Sequence, residues 1–93
     1  MHSLYGKKIH FIGIGGSGMS GLARIALSDG ITVSGSDSKD STVLSALAAL
    51  GATVYSHHAA ENVAGADVVI YSTAIASSNP EMSYAVERSI PIL

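Results

Sequence analysis

Ile9-His10-Phe11-Ile12-Gly13-Ile14-Gly15-Gly16-Ser17-Gly18 sets a nearly unbroken apolar run directly against a cluster of glycines. The run from Ile9 to Ile14 suits a strand covered on both faces. Beyond it, Ser17 to Asp29 places Met19, Leu22, Ala23 and Ala26 at helical spacing with only Arg24 and Asp29 charged, which predicts a largely buried helix. Gly13-Ile14-Gly15-Gly16-Ser17-Gly18 therefore meets G-x-G-x-x-G at a strand-to-helix junction, the context that gives this weak pattern its meaning. The first glycine permits a tight turn, the second lets the backbone approach a diphosphate, and the third lets helix and strand pack closely. Free N–H groups and the positive end of the helix then face the anion. Glycines could also serve the sharp turn alone, but in this context an idle loop is the poorer reading.

Outward from this junction the pattern repeats. Gly30 fits the position just past the first helix, and Ile31 to Ser34 reads as a second strand closing on Gly35-Ser36-Asp37. Asp40 or Ser41 can cap a helix whose Val43, Leu44, Leu47 and Leu50 form an apolar stripe, ended by Gly51. Ala52 to Tyr55 is a third strand. His57 to Gly65 is an irregular polar connection or a short helix, and Asp67 to Tyr71 is a fourth strand. Asn79-Pro80-Glu81 combines a capping amide, a proline at the first helical position and an acid in the first turn, so a last helix starts there and runs to about Ser89. Ile90 to Leu93 reads as a fifth strand, with Pro91 tolerated at an edge or first position. Alternating strands and helices imply an α/β fold, a Rossmann-like doubly wound parallel sheet of about five strands in a single domain. A chain that stops at the close of a strand suggests an excised domain.

With 93 residues there is room for one core, which excludes a multi-domain enzyme within this chain. Hydrophobic residues reach 47% and charged ones 13%, too apolar and too charge-poor for a disordered chain. The net charge of -2, with nothing more basic than Lys7-Lys8, leaves no footprint for nucleic acid. The absence of cysteine removes thiolate nucleophiles, zinc ribbons and iron–sulfur clusters. Met1 to Lys8 is polar where a signal peptide needs an apolar stretch, and no apolar run approaches a membrane span. The expectation is a soluble, cytoplasmic protein with neither membrane nor nucleic acid among its partners.

The residues after Gly18 are Met19-Ser20-Gly21, so the lysine of a Walker motif is missing and ATP hydrolysis by this segment alone is not expected. Asp37 stands at the tip of the second strand, where an acid commonly binds a ribose hydroxyl; a cap or solvated turn acid is the plainer alternative. Met19 can face either core or ligand. His57 and His58 are adjacent, so their side chains diverge, and no carboxylate or thiolate set completes a metal site. Ser17, Ser20 and Ser72 lack a nucleophile elbow and an oriented base, which argues against a hydrolase. The tyrosines at 5, 55, 71 and 84 are scattered and build no platform for bases. His10 is read as packing or a local hydrogen bond, and Asn79-Pro80-Glu81 as a helix start. On the residues alone, a nicotinamide dinucleotide and another nucleotide diphosphate both remain open.

The stretch GIGGSGMSGLA resembles the N-terminal domain of the Mur ligases, and the likeness continues through GSD at 35–37, HHAAENV at 57–63, DVVIYSTAI at 67–75 and NPE at 79–81. Full-length members have a UDP-substrate domain, an ATP-binding domain with a Walker motif and an amino-acid-side domain; residues 1–93 are similar to the first alone. The resemblance implies binding of UDP-N-acetylmuramate in peptidoglycan biosynthesis, for ATP-dependent ligation of L-alanine. ATP and Mg would belong to the full-length enzyme, and this chain alone would be inactive. The diphosphate would lie on Gly15, Gly16, Ser17, Gly18 and Met19, after the turn at Gly13. Asp37 and Ser38 would take the ribose or base, His58 would lie near the uridine, and Ser72, Thr73, Ala74 and Ile75 would form the loop after the fourth strand. Thr73 stands where a second serine is common, and His57 where glycine is common, which leaves open which imidazole faces the ligand. The ligase that recycles murein tripeptide matches GSGMSG and STAI less well and ranks second. Outside the family, the runner-up is an NAD(P)-binding domain of an oxidoreductase.

Overall fold

Four short parallel strands form the sheet of the computed structural model, which describes residues 6–93. Met1 to Tyr5, the start of the polar N-terminal stretch and the first of the scattered tyrosines, lie outside the described residues. The elements run β1 (Lys8–Ile12), α1 (Ser17–Ser28), β2 (Thr32–Ser36), α2 (Thr42–Ala49), β3 (Thr53–Tyr55), a 3-10 turn (Ala60–Val63), β4 (Val68–Tyr71) and α3 (Pro80–Glu87). Strand order is β3-β2-β1-β4. Pairing in parallel register sets Ile12 beside Ser36 on one side and beside Tyr71 on the other.

Alternation along β1 divides the core into two layers, because successive side chains leave a strand on opposite faces. Ile9 and Phe11 join Ile14, Ala23, Ala26, Val33, Leu44 and Leu47 under α1 and α2. Ile12 joins Val63, Val69 and Ala85 under the 3-10 turn and α3. Covered on both faces, the sheet is doubly wound as expected.

Several boundaries differ from the sequence-based expectation. β1 ends at Ile12 rather than Ile14, because Gly13 takes φ +83° and turns the chain; the N–H groups of Gly13 and Ile14 both donate to the Ser36 carbonyl, at 2.8 and 2.9 Å. β2 continues past Ser34 through Gly35 and Ser36, drawn on by its pairing with β1 and β3. Helix α1 is only half-buried: Ala23 and Ala26 are enclosed while Ile25 is 55% exposed, since one face alone meets the sheet. The fifth strand is reduced to a single parallel bridge between Val69 and Ile92. Pro91 has no N–H to give; its carbonyl accepts from Val69, the Leu93 N–H donates to the Val69 carbonyl, and the Tyr71 N–H reaches the Leu93 carbonyl only at 3.5 Å.

Capping follows the residue chemistry. Ser41 Oγ accepts from the Leu44 N–H, and Asn79 Oδ1 from the Glu81 N–H at 2.9 Å, with Pro80 at the first helical position. Helix α3 stops at Glu87, two residues early, where the chain turns through Ser89 at φ 55°. No helix among the described residues is long and apolar enough to cross a membrane.

Candidate functional site

The carboxyl edge of the sheet carries the candidate site. From β1 the chain steps through α1 to β2 and through α2 to β3, then crosses back to β4 on the far side of β1, so the loops after β1 and β4 part at the switch point where open α/β sheets take ligands. A cleft of about 450 Å³ opens there, lined by Gly16, Ser17, Gly18 and Met19 from one loop and Tyr71, Ser72 and Thr73 from the other. Gly16 is the N-cap of α1 and makes no side-chain cap, and the first turn has no acidic residue. The N–H groups of Ser17, Gly18 and Met19, the first three helical positions, therefore have no acceptor in their own helix. Uncapped donors, a positive helix end and no acid among the lining residues make the cleft receptive to an anion.

The two loops are tied together. The Ser72 N–H donates to the Ile12 carbonyl at 3.0 Å, and a Cβ on Gly13 would stand 3.1 Å from the Ser72 Cβ. Ala74 donates its N–H to Ser72 Oγ, while Ile75 turns inward against the second core layer; neither residue lines the cleft. Asp37 does not line it either. Its Oδ2 accepts from the Gly15 N–H at 2.9 Å, so the acid expected at the ribose position also holds the glycine loop. The fold adds a requirement for Gly15 that the sequence did not show: its Cβ would lie 2.8 Å from Asp37 Oδ2, so one neighbour it must clear is a carboxylate of the same chain. Ser38 is exposed beside Asp37.

The two histidines separate clearly. His57 is exposed with its ring edge against Tyr55, whereas His58 Nδ1 lies 2.8 Å from Ser36 Oγ, fastened to the end of β2. Behind Ser36 is a group the sequence reading took as a helix start only. Glu81 is fully buried, and its Oε1 accepts from His10 Nε2 and Ser36 Oγ, both at 2.6 Å. Its Oε2 accepts from the Ala59 N–H and Asn62 Nδ2, both at 3.0 Å. Burial by itself would raise the carboxyl pKa, but the bonds from His10, Ser36, Ala59 and Asn62 together hold it down at about 2. Ser34 Oγ completes the cluster at 2.7 Å from His10 Nδ1. One signal was available in the sequence: His10, Ser34 and Ser36 are polar residues at even spacing among apolar neighbours such as Ile9, Phe11 and Val33, and strand pairing puts them on one face.

Comparison with known proteins places this geometry. A sequence profile described as Mur ligase family, catalytic domain, matches residues 8–93. The UDP-N-acetylmuramate–L-alanine ligase of Renibacterium salmoninarum is 57% identical over 86 residues, covering 92% of this chain and 18% of that protein. The crystal structure of the UDP-N-acetylmuramate–alanine ligase of Thermotoga maritima matches with a TM-score of 0.89 at 38% identity, over 92% of this chain and 20% of the other. A UDP-N-acetylmuramate:L-alanyl-γ-D-glutamyl-meso-diaminopimelate ligase from Neisseria meningitidis matches with a TM-score of 0.85 at 34% identity, over 94% of this chain and 28% of its own. The chain thus spans 18–28% of the length of these relatives. Matched by the family profile from Lys8 to its last residue, and built on the fold its relatives share, this chain belongs to the Mur ligase family.

Proposed function

We propose that this chain is the nucleotide-sugar-binding domain of a UDP-N-acetylmuramate:L-alanine ligase, and that it holds UDP-N-acetylmuramate at the cleft between the glycine loop and the loop after β4. The observation that carries the reading is the set of three uncapped N–H groups at Ser17, Gly18 and Met19, facing a cleft completed by Tyr71, Ser72 and Thr73. Oxyanions of a diphosphate accept charge-assisted bonds from such donors at the positive end of α1. In this reading Asp37 offers the ribose its remaining lone pairs while holding Gly15, with Ser38 beside it. His58 stands toward the uridine, and Ala74 and Ile75 support the loop from behind. Higher identity to the alanine-adding enzyme of known structure than to the tripeptide-adding one, 38% against 34%, supports L-alanine as the second substrate of the whole enzyme.

ATP and Mg²⁺ fall to other parts of that enzyme. The glycine loop has no lysine with which to grip a γ-phosphate. This chain's part is to bind, orient and present the muramyl carboxylate.

Amide resonances followed during titration test the reading. UDP-N-acetylmuramate is expected to shift Ser17 to Met19 together with Ser72 and Thr73, and NAD to shift at most the first group. Equal or larger shifts with NAD in both groups would overturn the nucleotide-sugar assignment in favour of a dinucleotide-binding domain.

A further inference from the structure

We propose that Glu81 and Ser36 are positioning residues that set the tautomer of His58, so that His58 Nε2 stands at the carboxyl edge of the sheet as a hydrogen-bond acceptor for a donor group of the bound nucleotide. The role rests on the nucleotide-sugar reading above; the tautomer does not.

The proton positions follow from counting donors. Glu81 is enclosed and receives four hydrogen bonds, two on each oxygen, from His10, Ser36, Ala59 and Asn62. Four donors fill the acceptor sites of an ionised carboxylate and leave it no proton to give. Ser36 has one hydroxyl hydrogen, and at 2.6 Å it is committed to Glu81 Oε1. Toward His58 Nδ1, 2.8 Å away, the Ser36 oxygen can therefore only accept. His58 must carry a proton on Nδ1, and in the neutral ring Nε2 is then the bare nitrogen. Asn62, two residues before the 3-10 turn closes on Ala64, adds its carboxamide to both Glu81 and the His57 carbonyl, at 3.0 and 3.1 Å, which fixes the chain on either side of His58.

Nε2 is also accessible. It makes no hydrogen bond among the described residues, and no buried side-chain nitrogen or oxygen among them lacks a partner, so this atom meets solvent. The side chain as a whole is 17% exposed. Ser36 ends β2, where its carbonyl accepts from the Gly13 and Ile14 N–H groups and the next residue, Asp37, accepts from the Gly15 N–H, so the residue that fastens His58 and the glycine loop meet at the same strand end. A neutral imidazole in this tautomer selects an N–H or O–H from its ligand and has nothing to offer a carbonyl or phosphate oxygen. In a uridine nucleotide the candidates are the imide N–H of the base and the ribose hydroxyls.

Long-range ¹H–¹⁵N correlation reads the tautomer of the neutral ring directly. In the wild-type chain His58 is expected to show a protonated Nδ1 and an unprotonated Nε2. Ser36→Ala should move the proton to Nε2 and weaken UDP-N-acetylmuramate about tenfold or more. Weakening by His58→Ala should be similar, and the double variant should be no weaker than either single one. A protonated Nε2 in the wild type, or a tautomer unmoved in Ser36→Ala, overturns the relay. If Ser36→Ala does not fold, the wild-type spectrum and the His58→Ala titration still decide, since undiminished affinity in His58→Ala overturns the contact. Nucleotides methylated at N3 or lacking both ribose hydroxyls identify the donor: one should bind His58→Ala and wild type equally, and a persistent difference with both overturns the acceptor role. Failure of the wild type to bind any UDP-sugar, with Nδ1 protonated, sinks the nucleotide-sugar reading and leaves the relay standing.

Discussion

Glu81 shows how much one side chain can organise when it is buried and completely paired. Its carboxyl is held at about 2, below the ordinary 4.5, so the folded state binds its proton less readily than the unfolded chain does. The stabilisation is complete above about pH 4.5 and is lost progressively as the pH falls toward 2, a total of about 3 kcal/mol at about 1.4 kcal/mol per pKa unit. Urea unfolding at several pH values should show this decline in the wild type. Glu81→Gln should be less stable at neutral pH by a similar amount, because its amide brings donors toward donors, and should lose this acid dependence. An equally steep acid limb in the variant would count against Glu81 as its source. Gly15 makes the complementary case. Gly15→Ala forces Asp37 aside, breaking the bond from the Gly15 N–H, but Asp37 is a partly exposed side chain free to yield. The expected outcome is a melting temperature close to that of the wild type and at least tenfold weaker UDP-sugar binding, about 1.4 kcal/mol. Calorimetric titration and thermal unfolding on one sample check both halves. An unchanged affinity would take the loop out of the site.

At the scale of elements, α3 matters beyond its eight residues because its first turn delivers Glu81 to the polar part of the sheet face. Asn79 supplies the cap by accepting from the Glu81 N–H. Asn79→Ala should cost about 1 kcal/mol through the lost cap, lowering the melting temperature by about 4–8 °C for a domain of this size. A larger fall would mean that the cap also orients the carboxylate. Helix α1 has the opposite arrangement, with a glycine at its N-cap and no acid in its first turn. One helix start is capped by a side chain and carries the buried Glu81; the other is left open over a cleft. In the proposed reading, that difference separates a structural helix start from a ligand-facing one.

For the whole molecule, the division of the sheet faces decides what each layer does. The α1 and α2 side is apolar throughout its buried cluster, whereas the α3 side combines Ile12, Val63, Val69 and Ala85 with the hydrogen-bonded group of His10, Ser34, Ser36, Asn62 and Glu81. The first layer supplies stability, and the second trades apolar area for defined proton positions behind the candidate site. Spanning 18% of a homologous ligase, and with no lysine in its glycine loop, this chain is expected to bind substrate without turnover. Incubated with ATP, L-alanine and UDP-N-acetylmuramate, it should form no ADP above a protein-free control. Any excess, with contaminating ATPase removed, would refute this division of labour.

The alternating strand and helix order, the glycine loop at its junction and the caps at Ser41 and Asn79 were legible in the sequence because they are local: each follows from periodicity or from side-chain chemistry within a few residues of the chain. The paired loops after β1 and β4 were legible only through family resemblance. Strand ends were misread where pairing overrode composition, as when β2 ran on through Gly35 and Ser36, or where a residue's N–H count cut pairing short, as at Pro91. Asp37 beside Gly15, and Glu81 among His10, Ser36, Asn62 and the Ala59 N–H, were decided by tertiary structure alone. Those partners lie between 19 and 71 residues apart, and no local pattern encodes a hydrogen bond closed across the sheet. In a buried site each donor must find its acceptor wherever folding places it, so the chemistry of such a cluster exists only once the strands have been laid side by side.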